Sequence, residues 1–211
     1  LIASYDPLVG KWFALQRAAI DPAGKLLAVS DGFRTTVIHL GTKKVLLQDG
    51  QRDYAVSDIA FSRGQSVARY LAVSYGIPPS ADIAAGGGVQ VFDLYHKEPL
   101  LDTRSSSEEA LEAVRFGEGT EGCLVGMTYT KKARLYGPTG AGYALLAQAN
   151  GADGALTGAI SGGLGLFTLA TQDGLVRGYA ALTGSSAKVA DLQDPRKPIL
   201  AIVPEGDSLS L

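Results

Sequence analysis

Three carboxylates, Asp21, Asp58 and Glu112, fall at or beside the first strand of successive sequence units. Acids so placed can converge on a central channel and hold a divalent metal, as hard oxygen ligands do. Such sites usually add asparagine or histidine ligands. Here the only asparagine is Asn150, and the two histidines, His39 and His96, fall in outer-strand or turn positions. Structural roles are therefore expected for these acids, and surface or hydrogen-bonded roles for the histidines rather than general-base catalysis. Cys123 opens the apolar run Cys-Leu-Val-Gly-Met, which suits a buried small hydrophobe better than a nucleophile. The sequence has no G-x-S-x-G elbow, P-loop or H-E-x-x-H motif. The glycine-rich Gly158–Gly165 matches no phosphate-cradling pattern and is expected to be a hairpin turn.

The elements that would position these residues recur. Ala18–Gly32 reads as a short apolar strand, a Pro/Gly turn, a second apolar strand and an Asp-Gly turn. Aspartate followed by glycine between apolar runs favours a tight hairpin, because glycine accepts positive φ without steric cost. Thr35–Leu40 and Lys44–Gln48 complete a four-stranded unit. Weaker copies follow, with first strands aligned on Ile20, Ile59, Val114, Ile160 and Ile202. The mean spacing of about 45 residues is that of four-stranded propeller blades. The expected fold is all-β, a single β-propeller with blades at 15–48, 54–103, 110–148 and 154–192 and partial blades at 1–14 and 199–211. Four recognisable blades and two fragments suggest that further blades lie elsewhere in a parent chain.

The units resemble divergent WD repeats. The resemblance rests on the apolar first strand, the Pro-x-Gly turn, the Leu26–Gly32 type of second strand and a third strand ending in aromatic-Asp. Phe92-Asp93 and Tyr5-Asp6 stand where that family carries Trp-Asp, and no Gly-His dipeptide is present. The family's buried Asp-His-Ser/Thr-Trp network therefore has no counterpart in the sequence. The resemblance implies a non-catalytic platform for protein–protein contacts, without cofactor, within a larger assembly. An alternative with similar repeats is a lactonase- or hydrolase-type propeller enzyme, which would require the channel metal considered above.

Composition narrows the partners. The chain is 46% hydrophobic and 19% charged, which is globular, and its net charge of -2 gives no reason to expect nucleic acid. One cysteine excludes an internal disulfide framework. No apolar stretch is long enough for a membrane span. The chain begins at Leu1 without a signal-peptide pattern, so an intracellular, cytoplasmic excerpt of a longer polypeptide is expected.

Two segments stand out as interaction candidates. Gly76–Gly88 carries prolines and a glycine triplet and is expected to be a loop rather than a central strand. Trp12, Tyr75, Ile77 and Ile83 are the expected partner-contacting residues, as exposed aromatic and apolar anchors. The second segment, Thr103–Glu112, is expected to hold a short helix after its serines. Ser105 and Ser106 each precede a glutamate by three residues and are phosphorylation candidates. Lys43-Lys44 and Lys131-Lys132 with Arg134 are expected to guard sheet edges.

Overall fold

The computed structural model describes residues 16–50, 54–63, 67–77, 86–104, 110–117, 124–128, 132–139, 142–150, 155–160, 166–171, 175–182, 185–193, 203–205 and 208–210. Every described element is a β-strand, and every pairing is antiparallel. The first sheet comprises β1 (Arg17–Ile20), β2 (Leu26–Ser30), β3 (Arg34–His39) and β4 (Lys44–Gly50). The second comprises β5 (Val56–Phe61), β6 (Tyr70–Ile77), β7 (Gly86–Asp93) and β8 (Glu98–Asp102). The third runs through β9 (Leu111–Phe116), β10 (Leu124–Thr128), β11 (Lys132–Thr139) and β12 (Gly142–Asn150). The fourth runs through β13 (Ala155–Ile160), β14 (Leu166–Thr171), β15 (Leu175–Leu182) and β16 (Ser185–Gln193). A ribbon of β17 (Val203–Glu205) and β18 (Ser208–Ser210) follows.

Each four-stranded sheet is a meander in sequence order, and successive sheets meet through their first strands. Thus β1 lies against β5, β5 against β9, β9 against β13 and β13 against β17. Both faces of the second sheet are buried as a result. Leu71, Val73 and Tyr75 of β6 pack toward Leu26, Ala28, Val37 and Leu47 of the first sheet. Ala72, with Val89 and Val91 of β7, packs toward Leu111, Val114, Phe116 and Tyr136 of the third. The twofold alternation of a strand sends neighbours to opposite faces, so a strand buried on both sides must be apolar almost throughout.

The same irregularity recurs in every four-stranded sheet. The ladder between third and fourth strands slips at Val37/Ile38, Val91/Phe92, Leu135/Tyr136 and Gly178/Tyr179. A bulge at a fixed place adds local twist to each sheet. The ladders also correct the repeat alignment. Ile20, Phe61, Phe116 and Ile160 are the equivalent first-strand positions, through Leu27, Leu71, Leu124 and Phe167. Ile59 and Val114 lie two residues earlier. Such a slip keeps each residue on the same face, so apolar alternation does not register it.

The segment Gly76–Gly88 departs from the expected loop. Gly76 pairs with Gly87 and Ile77 with Gly86, so both ends of the segment lie in the β6–β7 ladder. Gly87 and Gly88 stand where other backbone comes close. A Cβ on Gly87 would collide with the Tyr75 carbonyl and stand 3.0 Å from Ala110 Cα. A Cβ on Gly88 would stand 2.6 Å from Thr103 Oγ1.

Candidate interaction surface

In a meander the first and third turns leave a sheet at one end and the second turn at the other. At the first end of the first sheet, Asp21 closes the β1–β2 turn. Its Oδ1 accepts the backbone N–H groups of Lys25 at 2.6 Å and Leu26 at 2.7 Å. Its Oδ2 accepts the N–H of Ala68 in the second sheet at 3.3 Å. Asp21 is buried, and its carboxylate is committed to holding two neighbouring turns together.

The β3–β4 and β7–β8 turns, at this same end, share one geometry. Lys43 N–H donates to the His39 carbonyl and Lys97 N–H to the Asp93 carbonyl, each at 2.7 Å. Both lysines adopt positive φ, 57° and 62°. Asp93 Oδ1 accepts from Tyr95 N–H at 2.9 Å and His96 N–H at 3.4 Å, and Arg69 and His96 side chains lie on Oδ2. In the first sheet His39 Nδ1 does the same work, accepting Thr42 N–H at 3.1 Å. Burial alone would raise the Asp93 carboxyl, but the bonds from His96, Tyr95 and Arg69 outweigh it and hold it below the ordinary range.

At the opposite end a polar network crosses from the second sheet to the first. Tyr75 Oη donates to Gln90 Oε1 at 3.0 Å and approaches Asp49 Oδ2 at 3.3 Å. Gln90 Nε2 donates to Asp102 Oδ2, and Arg104 grips both Asp102 oxygens at 2.9 and 2.5 Å. The Arg104 guanidinium also reaches Asp49 and lies 4.9 Å over the Tyr75 ring. Burial, then the Asp49 charge, drives the Tyr75 phenol well above its ordinary value. For Asp102, burial works upward but the Arg104 bonds prevail and lower the carboxyl. Arg104 loses ground to burial but gains more from Asp102, and its own value is raised. Tyr75 is 1% exposed. The expectation of an exposed anchor at Tyr75 is therefore corrected: its ring fills the gap between two sheets and its hydroxyl is bonded inside.

The remaining candidates divide between described and undescribed residues. Asp58 accepts from Val114 N–H at 3.2 Å and pairs with Arg115, both in the third sheet. Glu112 is exposed in β9. Among the described residues no group of three His, Cys, Asp or Glu side chains forms a metal cluster. Arg134 is buried with Nε donating to Gln148 at 3.2 Å, so it is no edge guard; the strand sinks it between neighbours. Of Ile77 the backbone is described, paired with Gly86 at the end of β6. Trp12, Ile83, Ser105, Ser106, Cys123 and Tyr5-Asp6 lie outside the described residues. Of the segment Thr103–Glu112, where a short helix was expected after the serines, 105–109 lie outside them too, and Leu111 and Glu112 instead open strand β9, which pairs with β10.

Sequence reasoning missed Tyr95, which is 70% exposed. The signal available was Tyr95 beside His96 and Lys97 in a turn, where no core position needs an aromatic. Among the described residues no helix is long and apolar enough to cross a membrane.

No protein-family model matches the chain, and no curated protein matches it in sequence. Among solved structures it is similar to the crystal structure of Chaetomium thermophilum Sqt1, with a TM-score of 0.70 and 17% identity. The likeness is one of fold. It covers 98% of this chain and 56% of Sqt1, a WD-repeat propeller, so the chain spans little over half of that protein. In all, 1020 solved chains match, and a likeness so widely shared identifies an architecture rather than a partner.

Proposed function

We propose that the four sheets are blades of one WD-repeat-like β-propeller, and that the chain is a non-catalytic protein–protein scaffold in a larger intracellular assembly. The blades run over 15–48, 54–103, 110–148 and 154–192, with partial blades at 1–14 and 199–211. One observation carries the reading. The polar side chains nearest the first strands are spent joining one sheet to the next. Arg17 Nε donates to the Ser57 carbonyl at 2.6 Å, Ser57 Oγ to the Leu111 carbonyl at 2.6 Å, and Asp58 accepts from Val114. Asp21 does the same toward Ala68. Asp21 and Asp58, held this way, stiffen a platform rather than gather at a shared ligand. The likeness in fold to Sqt1 supports the same architecture.

The partner-contacting residues of this reading are Trp12, Ile77 and Ile83, with Ser105 and Ser106 as phosphorylation sites on a connecting segment. The experiment is affinity purification of the chain from its native extract at moderate salt, followed by mass spectrometry. A stoichiometric protein partner is expected. A lone chain that carries a divalent metal and turns over a lactone or ester would overturn the reading.

A further inference from the structure

We infer that the sheet end carrying the β1–β2, β3–β4, β5–β6 and β7–β8 turns is a docking surface for an acidic protein segment bearing an apolar side chain. The inference rests on the scaffold reading and assigns a face and a partner chemistry to it. The Asp21–Ala68 hydrogen bond places the turns of the first two sheets side by side.

Five cations stand exposed on these turns and the strand ends they join: Lys25, Lys43, Lys44, Arg63 and Lys97. Among the described residues none of the five is held in an ion pair. The acids beside them are withdrawn, since Asp21 and Asp93 are 3% and 2% exposed and spend their oxygens on backbone N–H groups and neighbouring side chains. Glu98 is the exposed acid there among the described residues. In a chain with a net charge of -2, this excess is local.

A second observation is independent of charge. Lys43 and Lys97 take a left-handed backbone conformation that asparagine or glycine adopts more easily, at a cost of about 1 kcal/mol for other side chains. The same strained turn thus presents lysine in two consecutive sheets. In the same β7–β8 turn as Lys97 lies Tyr95, the most exposed large hydrophobic side chain described. Positive charge around an apolar point fits an acidic peptide with an apolar anchor.

Nucleic acid would need cations that follow a backbone further. Here they stop: the counterpart turn of the third sheet, Gly137–Gly142, has no charged residue, and the segment between β9 and β10 carries Glu118 and Glu121.

The test titrates the chain with a fluorescein-labelled Glu-rich peptide bearing one Leu, at low and at physiological salt. Saturable binding that weakens with salt is expected. Lys43→Asn with Lys97→Asn should weaken it about fivefold, since each exposed ion pair contributes modestly. Asparagine suits the left-handed turn, so this variant should keep its Tm. Lys25→Gln with Arg63→Gln is a second variant expected to weaken binding, and Arg34→Gln, at the opposite sheet end, should leave it unchanged. Absence of binding, or equal binding by both lysine and arginine variants, would overturn the inference. Tighter binding to single-stranded DNA or to anionic phosphatidylserine vesicles than to the peptide would also overturn it. A chain that ignores the peptide yet purifies with a stoichiometric partner keeps the scaffold reading and loses this assignment; a chain that does neither loses both.

Discussion

His39 and Asp93 occupy the same place in consecutive sheets. Each ends a third strand, pairs with the first residue of the fourth strand, and accepts the N–H of a left-handed lysine through its carbonyl. Each also caps its turn with a side-chain acceptor, Nδ1 in one and a carboxylate in the other. The histidine is thus the structural counterpart of the aspartate.

The caps should differ under acid. Asp93 has a depressed folded value, so its contribution is complete above the ordinary carboxyl value of 3.8 and is lost as pH falls below it. Asp93→Ala should cost about 3 kcal/mol near neutral pH, because it removes a buried acceptor of backbone and cationic donors. Asp93→Asn should cost less and flatten the acid limb of stability. His39→Asp should be neutral or stabilising. Urea unfolding at several pH values measures all three.

Glycines at two turns and crossings should respond unequally to alanine. Gly24 has φ of +66° but open space around it, so Gly24→Ala should cost about 1 kcal/mol, the left-handed penalty alone. Gly87→Ala drives a methyl into the Tyr75 carbonyl and should cost about 3 kcal/mol or prevent folding. Thermal unfolding of the pair distinguishes them.

Arg104 is the cation on which the inter-sheet network turns. Arg104→Ala leaves Asp102 and Asp49 without their cationic partner and empties the space over Tyr75, at about 3 kcal/mol. Tyr75→Phe removes hydroxyl hydrogen bonding alone and should cost about 1 kcal/mol. The double variant should fall short of the sum, as coupled neighbours do. Chemical denaturation of the cycle gives the coupling directly.

Residues 78–85 join two strands that already pair Ile77 with Gly86. Replacing them with Asn-Gly should close that hairpin, since a two-residue turn of this type matches strand twist. Stability should change by less than about 1 kcal/mol. A contact through Ile83 should be lost, which a binding assay with the purified partner reads.

Much of the strand rhythm was legible, because Pro-x-Gly and Asp-Gly turns punctuate apolar runs from Ala18 onward. The register was not. Ile59 and Phe61 share a face, so pattern alone could not choose between them as the counterpart of Ile20. The need for Gly87 and Gly88 arises from Tyr75, Ala110 and Thr103, which are distant in sequence, and a glycine triplet taken locally suggests a loop. Tyr75 resembled an exposed anchor for the same reason. Its partners Asp49, Gln90 and Arg104 come from three different segments. The cationic end was hidden because whole-chain charge averages it against acids that the fold buries.

The most direct measurement of the central claim is the native affinity purification, run on the chain and on its 78–85 replacement. A stoichiometric protein partner is expected on the first and a weakened one on the second. A chain that emerges alone with a bound divalent metal and hydrolyses a lactone would contradict it.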